Sequence, residues 1–195
     1  AAGEGGYETG TIAAVDYDVN RVAIDAGHPL RRRLETGRTV RIYNESRAAL
    51  YKVTAQEVRH GQLWLSLDGS ALLARGEVDS VADGRVRLDA YLTFAQRRPV
   101  RDGELVPGPD YYAGSWLQAG DTVLQVAGAV QGGAGFAWDL PDSKSVQSDA
   151  TDDNCVFLRQ DVTAAELQRT LAGRTVQIWQ HGVGDRLEVP RLDVR

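Results

Sequence analysis

The sequence has no methionine, a single cysteine (Cys155) and only two lysines, Lys52 and Lys144. One cysteine cannot form a disulfide framework within the chain. No run approaches the roughly 20 apolar residues that a membrane-spanning helix needs, so no such span is expected. The three histidines, His28, His60 and His181, are far apart and form neither a His-x-x-x-His nor a His-Glu-x-x-His pattern. A local zinc motif is therefore missing. No Gly-x-Ser-x-Gly occurs either, which removes the usual local trace of a serine nucleophile. Basic charge is in deficit, with 22 Lys and Arg against 27 Asp and Glu and a formal net charge of −5. That balance argues against a general nucleic-acid binder, and no nucleic-acid partner is expected. The near-exclusive use of arginine fits a GC-rich coding bias, since the arginines are spread along the chain. The absence of methionine and the opening Ala1-Ala2-Gly3-Glu4-Gly5-Gly6 read as a processed product or an excised part of a larger protein.

What is present is 195 residues, 43% hydrophobic, with 21 glycines. A chain of this length buries roughly 70% of its extended surface, enough for one ordinary domain or two small ones. Short alternating or β-branched runs recur between Gly, Asn and Asp, which predicts strands rather than helices. Thr11–Asp16 and Arg21–Asp25 flank Tyr17–Asn20 as a hairpin, with Val22 and Ile24 inward and Arg21, Ala23 and Asp25 outward. Thr39–Asn44, Tyr51–Val58 and Gln62–Leu67 follow. In the last of these Leu63, Leu65 and Leu67 share one face, opposite Trp64 and Ser66. Gly76–Val81 and Gly84–Leu88 complete a first set by about residue 95.

Residues 96–109 hold Pro99, Pro107 and Pro109 and break any regular element. They are expected to connect a first β unit (1–95) to a second (110–195). The second carries the strands Ser115–Gln118, Thr122–Gly128, Gly135–Trp138, Val156–Leu158, Thr175–Gln180 and Arg186–Val189. A helix near 163–172 is predicted by the capping box Thr163-x-x-Glu166, by Leu167 and Leu171 on one face, and by Gly173 at the C-terminal end. The expected fold is all-β: two packed β units, a small barrel or sandwich followed by a β-sandwich, with one short helix. No fixed repeat period is present, which excludes a solenoid or propeller pattern.

Four groups of residues are candidates for chemistry. Cys155 precedes the apolar Val156-Phe157-Leu158, which raises a thiol pKa and favours an inert cysteine. His181-Gly182-Val183-Gly184-Asp185 forms a tight turn that could aim His181 and Asp185 at one another as an acid/base pair. The competing reading is a plain β-turn between two strands. Asp149, Asp152 and Asp153 concentrate hard oxygen ligands in one loop, where calcium is the candidate cofactor and a solvated acidic loop the alternative. It lacks the order of an EF-hand. Tyr111, Tyr112 and Trp116 place three rings beside the proline-rich connector. Exposed rings of this kind stack on sugar faces, and buried ones would be core.

Gly10-Thr11-Ile12 through Asn20-Arg21-Val22, with Arg41-Ile42-Tyr43-Asn44, resembles the β-rich regions that accompany catalytic domains in large bacterial polysaccharide-degrading proteins, including the heparinase II/III-like lyase group. The tail Gly182-Val183-Gly184-Asp185-Arg186-Leu187-Glu188-Val189-Pro190 resembles the turn and final strand closing such C-terminal regions. The resemblance implies a secreted, extracellular or periplasmic protein whose partner is a polysaccharide or the remainder of a larger parent chain. The Tyr/His acid-base pair of that group rests on a helical toroid that has no counterpart here, so the resemblance assigns no catalytic residue. The leading expectation is a non-catalytic β module with carbohydrate contacts through Tyr111, Tyr112 and Trp116. Its rivals are a polysaccharide lyase or lyase subunit, and a structural or assembly protein of a bacterial surface or phage particle.

Overall fold

Alternating side chains become strand in this chain because only an extended backbone puts every second residue on one face. The structure is a computed structural model that describes residues 9–89, 99–100, 104–105, 109–130, 154–171 and 173–190. Its strands are β1 (Gly10–Thr11), β2 (Ala14–Asp16), β3 (Arg21–Asp25), β4 (Thr39–Tyr43), β5 (Ala48–Arg59), β6 (Gln62–Leu67), β7 (Leu72–Ala82) and β8 (Arg85–Asp89). There follow β9 (Pro99–Val100), β10 (Glu104–Leu105), β11 (Trp116–Ala119), β12 (Thr122–Val130), β13 (Asn154–Leu158), β14 (Thr175–Trp179) and β15 (Arg186–Glu188). One α-helix, α1 (Ala164–Thr170), accompanies them. The chain is all-β in two units with one short helix. Among the described residues no helix is long and apolar enough to cross a membrane. The predicted strand Gly135–Trp138 lies outside the described residues.

The boundary between units differs from the one the prolines suggest. Unit 1 comprises Ala1–Ala71 and Gln180–Arg195, and unit 2 is Leu72–Trp179, an insertion within unit 1. The division at 96–109 therefore gives way to one after Ala71 and another before Gln180. The reason is non-local pairing. β7 and β8 follow the first strands in sequence but pair with β14 and β13, whereas β15, at the far end of the chain, pairs with β1 and β4.

Unit 1 is a seven-stranded antiparallel sheet in the order β1-β15-β4-β5-β6-β3-β2. Its two outermost strands are consecutive in sequence. β1 pairs with β15, and after Ile12 and Ala13 the same segment continues as β2 on β3. Ile12 N donates to Asp185 O at 2.9 Å and Ala13 N to Ala23 O at 2.8 Å. The sheet thus rolls until one segment, 10–16, bonds to β15 at one end and to β3 at the other. Val40 and Ile42, and Leu63, Leu65 and Leu67, face the interior with Ile12, Val22, Ile24, Leu30, Leu34 and Leu187. Full burial of each such side chain contributes roughly 1.5–3 kcal/mol. Ala23, expected outward, is fully buried. It lies opposite Trp64, and the Arg21 guanidinium sits 5.5 Å from the Trp64 ring centroid, so an outer layer covers the small side chain. The β5–β6 turn places His60 at φ 51° and Gly61 at φ 76°. Two positive φ values in a two-residue loop match the twist of the flanking strands.

Unit 2 contains a closed barrel, β11-β12-β13-β8-β7-β14. The barrel joins β11 to β14 of the expected second set with β7 and β8, which the sequence pattern assigned to the first. Its interior holds Val78, Val86, Leu88, Leu117, Val126, Val156, Val176 and Ile178, together with Leu167 and Leu171 of the helical segment. The capping box forms in part: Thr163 Oγ1 accepts from Glu166 N at 3.3 Å, and Ala164 N is satisfied by Asp83 Oδ1 at 2.7 Å. Both contacts supply acceptors to otherwise orphaned first-turn amides. β9 and β10 form a separate two-stranded pair.

Candidate functional site

The barrel presents an amide-and-indole face. Along β11, Leu117 and Ala119 enter the core, so alternation sends Trp116 and Gln118 to the other face. Register then assembles their neighbours: Trp116 lies opposite both Trp179 and Gln125, and Gln118 opposite both Gln177 and Val123. Gln177 lies opposite Arg75 on β7. Trp179 Nε1 donates to Gln118 Oε1 at 2.9 Å, which fixes the amide beside the two indoles. Gln125 Oε1 accepts from Arg159 Nη1 at 3.5 Å. Trp116, Gln118, Gln125 and Gln177 are half-buried, and Val123 is 37% exposed. Trp179 is 8% exposed, so Trp116 offers the accessible ring, and a planar apolar ring flanked by groups that both donate and accept suits a ligand with flat C–H faces and hydroxyl edges.

Of the three rings expected to bind, the structure separates one. Tyr112 is fully buried in the barrel core. The reason is local: Pro109–Tyr112 is a 3-10 turn rather than an extended run, so Tyr111 and Tyr112 do not alternate across a strand. Their rings instead meet edge to face with centroids 4.8 Å apart. Tyr111 and Trp116 are half-buried. Sequence reasoning missed Gln118, Gln125 and Gln177. Period two along each strand places them on the side opposite the core, but which strands adjoin is set by pairing that sequence does not display.

Unit 1 holds a second cluster, around the segment through which the chain returns from the barrel. Gln180 N donates to Ala71 O at 2.8 Å, and a glycine turn with Gly184 at φ 95° leads into β15. Asp185 Oδ2 accepts from Gly182 N at 2.9 Å and Oδ1 from Asn44 Nδ2 at 3.1 Å. Asn44 Oδ1 in turn caps Ser46 N and Arg47 N, and Arg47 Nη2 donates to Gln180 Oε1 at 2.6 Å. Both His181 and Asp185 are buried, at 1% and 3% exposure. They do not form the expected pair. The Asp185 carboxylate closes its own turn and holds Asn44, while among the described residues neither His181 ring nitrogen has a hydrogen-bond partner. The His181 ring meets Tyr51 edge to face at 5.3 Å.

Burial dominates the electrostatics of this cluster. It pushes His181 down from 6.5 to about 4, so the imidazole is neutral near pH 7. Burial first, then the Arg47 and Asp68 charges acting in opposite directions, carries Tyr51 up to about 12. Tyr17 is raised well above the usual tyrosine range by burial, with the Asp185 charge adding to it. These are the conditions of a structural polar cluster rather than of an acid/base pair open to a polymer substrate. Asn44, Arg47 and Tyr51 had no signal in sequence, because they meet this segment only through the folded sheet.

Cys155 is half-buried on β13, and burial raises its thiol pKa against the opposing charges of Arg85 and Arg87. That agrees with an unreactive cysteine. Asp149, Asp152 and Asp153 lie outside the described residues. Among the described residues no group of three or more His, Cys, Asp or Glu is placed to hold a metal ion.

Fold and site together define an all-β protein in which a closed barrel is inserted into a rolled antiparallel sheet. No family model, no curated protein and no solved structure matches the chain.

Proposed function

We propose that this chain is a non-catalytic β module of a secreted polysaccharide-processing protein, and that its barrel contacts glycan through the face built on Trp116. The observation that carries this reading is the grouping of Trp116, Trp179, Gln118, Gln125 and Gln177 on adjacent strands, away from the barrel core. An indole supplies a flat apolar surface for a sugar ring, and the amides supply donors and acceptors for its hydroxyls. Arg75 and Arg159 adjoin this face and suit acidic as well as neutral sugars. The burial of His181 and Asp185 supports placing substrate contact on the barrel face instead of in unit 1.

Affinity electrophoresis through gels containing neutral or acidic polysaccharides tests the reading. Retardation by at least one polymer, reduced several-fold by Trp116→Ala and by Gln177→Ala, is the expected result. Mobility unaffected by every polymer, or retardation that survives both substitutions, would overturn it. Release of unsaturated uronic products, read as ultraviolet absorbance, would overturn the non-catalytic part.

A further inference from the structure

We propose that the segment Gln180–Asp185 is an acid-sensitive latch: protonation of His181 releases the seam at which β1 meets β15 and the rolled sheet of unit 1 closes. A neutral imidazole has one donor and one acceptor, and protonation turns both nitrogens into donors. His181 is 1% exposed, and neither nitrogen finds a partner among the described residues. A buried cation without a hydrogen-bonded counter-ion is unstable and drives either deprotonation or exposure.

The surrounding groups do not offer relief. On its own segment, Asp185 is committed to Gly182 N and Asn44 Nδ2. From β5, Tyr51 presents its ring edge to the imidazole and stays protonated across this range, its pKa carried up to about 12. From the β4–β5 turn, Arg47 carries a like charge and bonds to Gln180, the residue next to His181. Asp68, after β6, and Tyr17, before β3, act on Tyr51 and Asp185 respectively. None of these supplies a hydrogen bond to the ring.

The seam is the part of unit 1 held by the same segment. Gly184 N donates to Ile12 O and Ile12 N to Asp185 O, each at 2.9 Å, and the ladder beyond them is only two residue pairs, Gly10 with Leu187 and Thr11 with Arg186. Hydrating His181 by displacing this segment would break those bonds. The barrel ladders do not involve residues 180–185.

Amide hydrogen exchange of the full chain between pH 7 and pH 4, corrected for intrinsic exchange, reads the latch. Protection at Ile12 and Gly184 is expected to fall on the order of 100-fold as pH drops from 6.5 to 4. Barrel amides such as Val126 and Val156 should lose far less. His181→Phe keeps a ring against Tyr51 and should flatten the seam's pH response. A second measurement needs no variant: in the unaltered chain the His181 ring resonance should titrate with a midpoint near 4. A midpoint near 6.5, seam protection that does not change with pH, or an unaltered response in His181→Phe each overturns the proposal.

Discussion

The two units close in different ways. In unit 2 every barrel strand has a ladder on both sides, and the last closure, β11 on β14, is backbone pairing like the rest. In unit 1 the closing segment changes partner partway along, from β15 to β3, and leaves Ile12 and Ala13 at the changeover. Backbone bonds from Ile12 to Asp185 and from Ala13 to Ala23 carry the segment across the changeover, and the Asp185 and Asn44 side chains secure the turn beside it. Buried backbone groups must be paired in either case, and a turn packed beside such a changeover draws on buried polar side chains as well. The buried acid and base, Asp185 and His181, accordingly belong to unit 1, and the buried polar residues described in unit 2 are the uncharged Ser115 and Asn154.

If the units are independent cores, deleting interior volume from one should leave the other intact. Leu65→Ala in unit 1 and Leu117→Ala in the barrel should each cost about 2–5 kcal/mol. Hydrogen exchange should report the first at Val22 and not at Val156, and the second at Val156 and not at Val22. Equal loss at both amides in either variant would break the comparison.

Acid should sharpen it. The folded pKa of His181 is depressed, so the neutral ring's contribution is complete above 6.5 and is lost as pH falls toward about 4. Unit 1 should therefore lose up to about 3 kcal/mol over that window, with no further loss from this residue below it. Denaturant titrations followed by the exchange of unit 1 amides at pH 7, 5.5 and 4 would measure the slope. Stability that rises on acidification would contradict the sign.

Asp185→Asn keeps one acceptor and removes the charge, leaving Gly182 N or the Asn44 amide without its partner. A cost of about 2 kcal/mol, confined to unit 1, is expected by chemical denaturation. The smallest effect lies in the other unit. Thr163→Ala removes the acceptor of Glu166 N and should cost about 1 kcal/mol of barrel stability, with unit 1 unchanged.

Much of the local structure was legible in sequence because it depends on neighbours along the chain. Leu63, Leu65 and Leu67 reach the core by alternation alone, and Thr163 caps its helix as the Thr-x-x-Glu spacing requires. Core was one of the two readings open for Tyr111, Tyr112 and Trp116, but that Tyr112 is the ring that enters it was not legible, since the turn after Pro109 replaces the extended backbone on which alternation depends. The unit boundary was hidden for a different reason. Leu187 pairs with Ile42 from the opposite end of the chain, and no short-range signal encodes that choice. The same holds for His181, whose neighbour Tyr51 and whose lack of a partner both arise from non-local packing.

The insertion couples the units even if they share no stabilising contact. Leu72 and Trp179 are paired within the barrel, so a folded barrel hands unit 1 two chain ends that are already side by side, and Ala71 meets Gln180 with little further ordering. An unfolded barrel turns the same stretch into a flexible loop of roughly a hundred residues, which costs unit 1 about 3 kcal/mol more to close than a short turn would. The guest thus acts on its host as a tether whose slack depends on its own folding. Cooperativity between the two halves can be transmitted through connectivity alone, and replacing Leu72–Trp179 with a tight turn would preserve the host's closure while removing the guest.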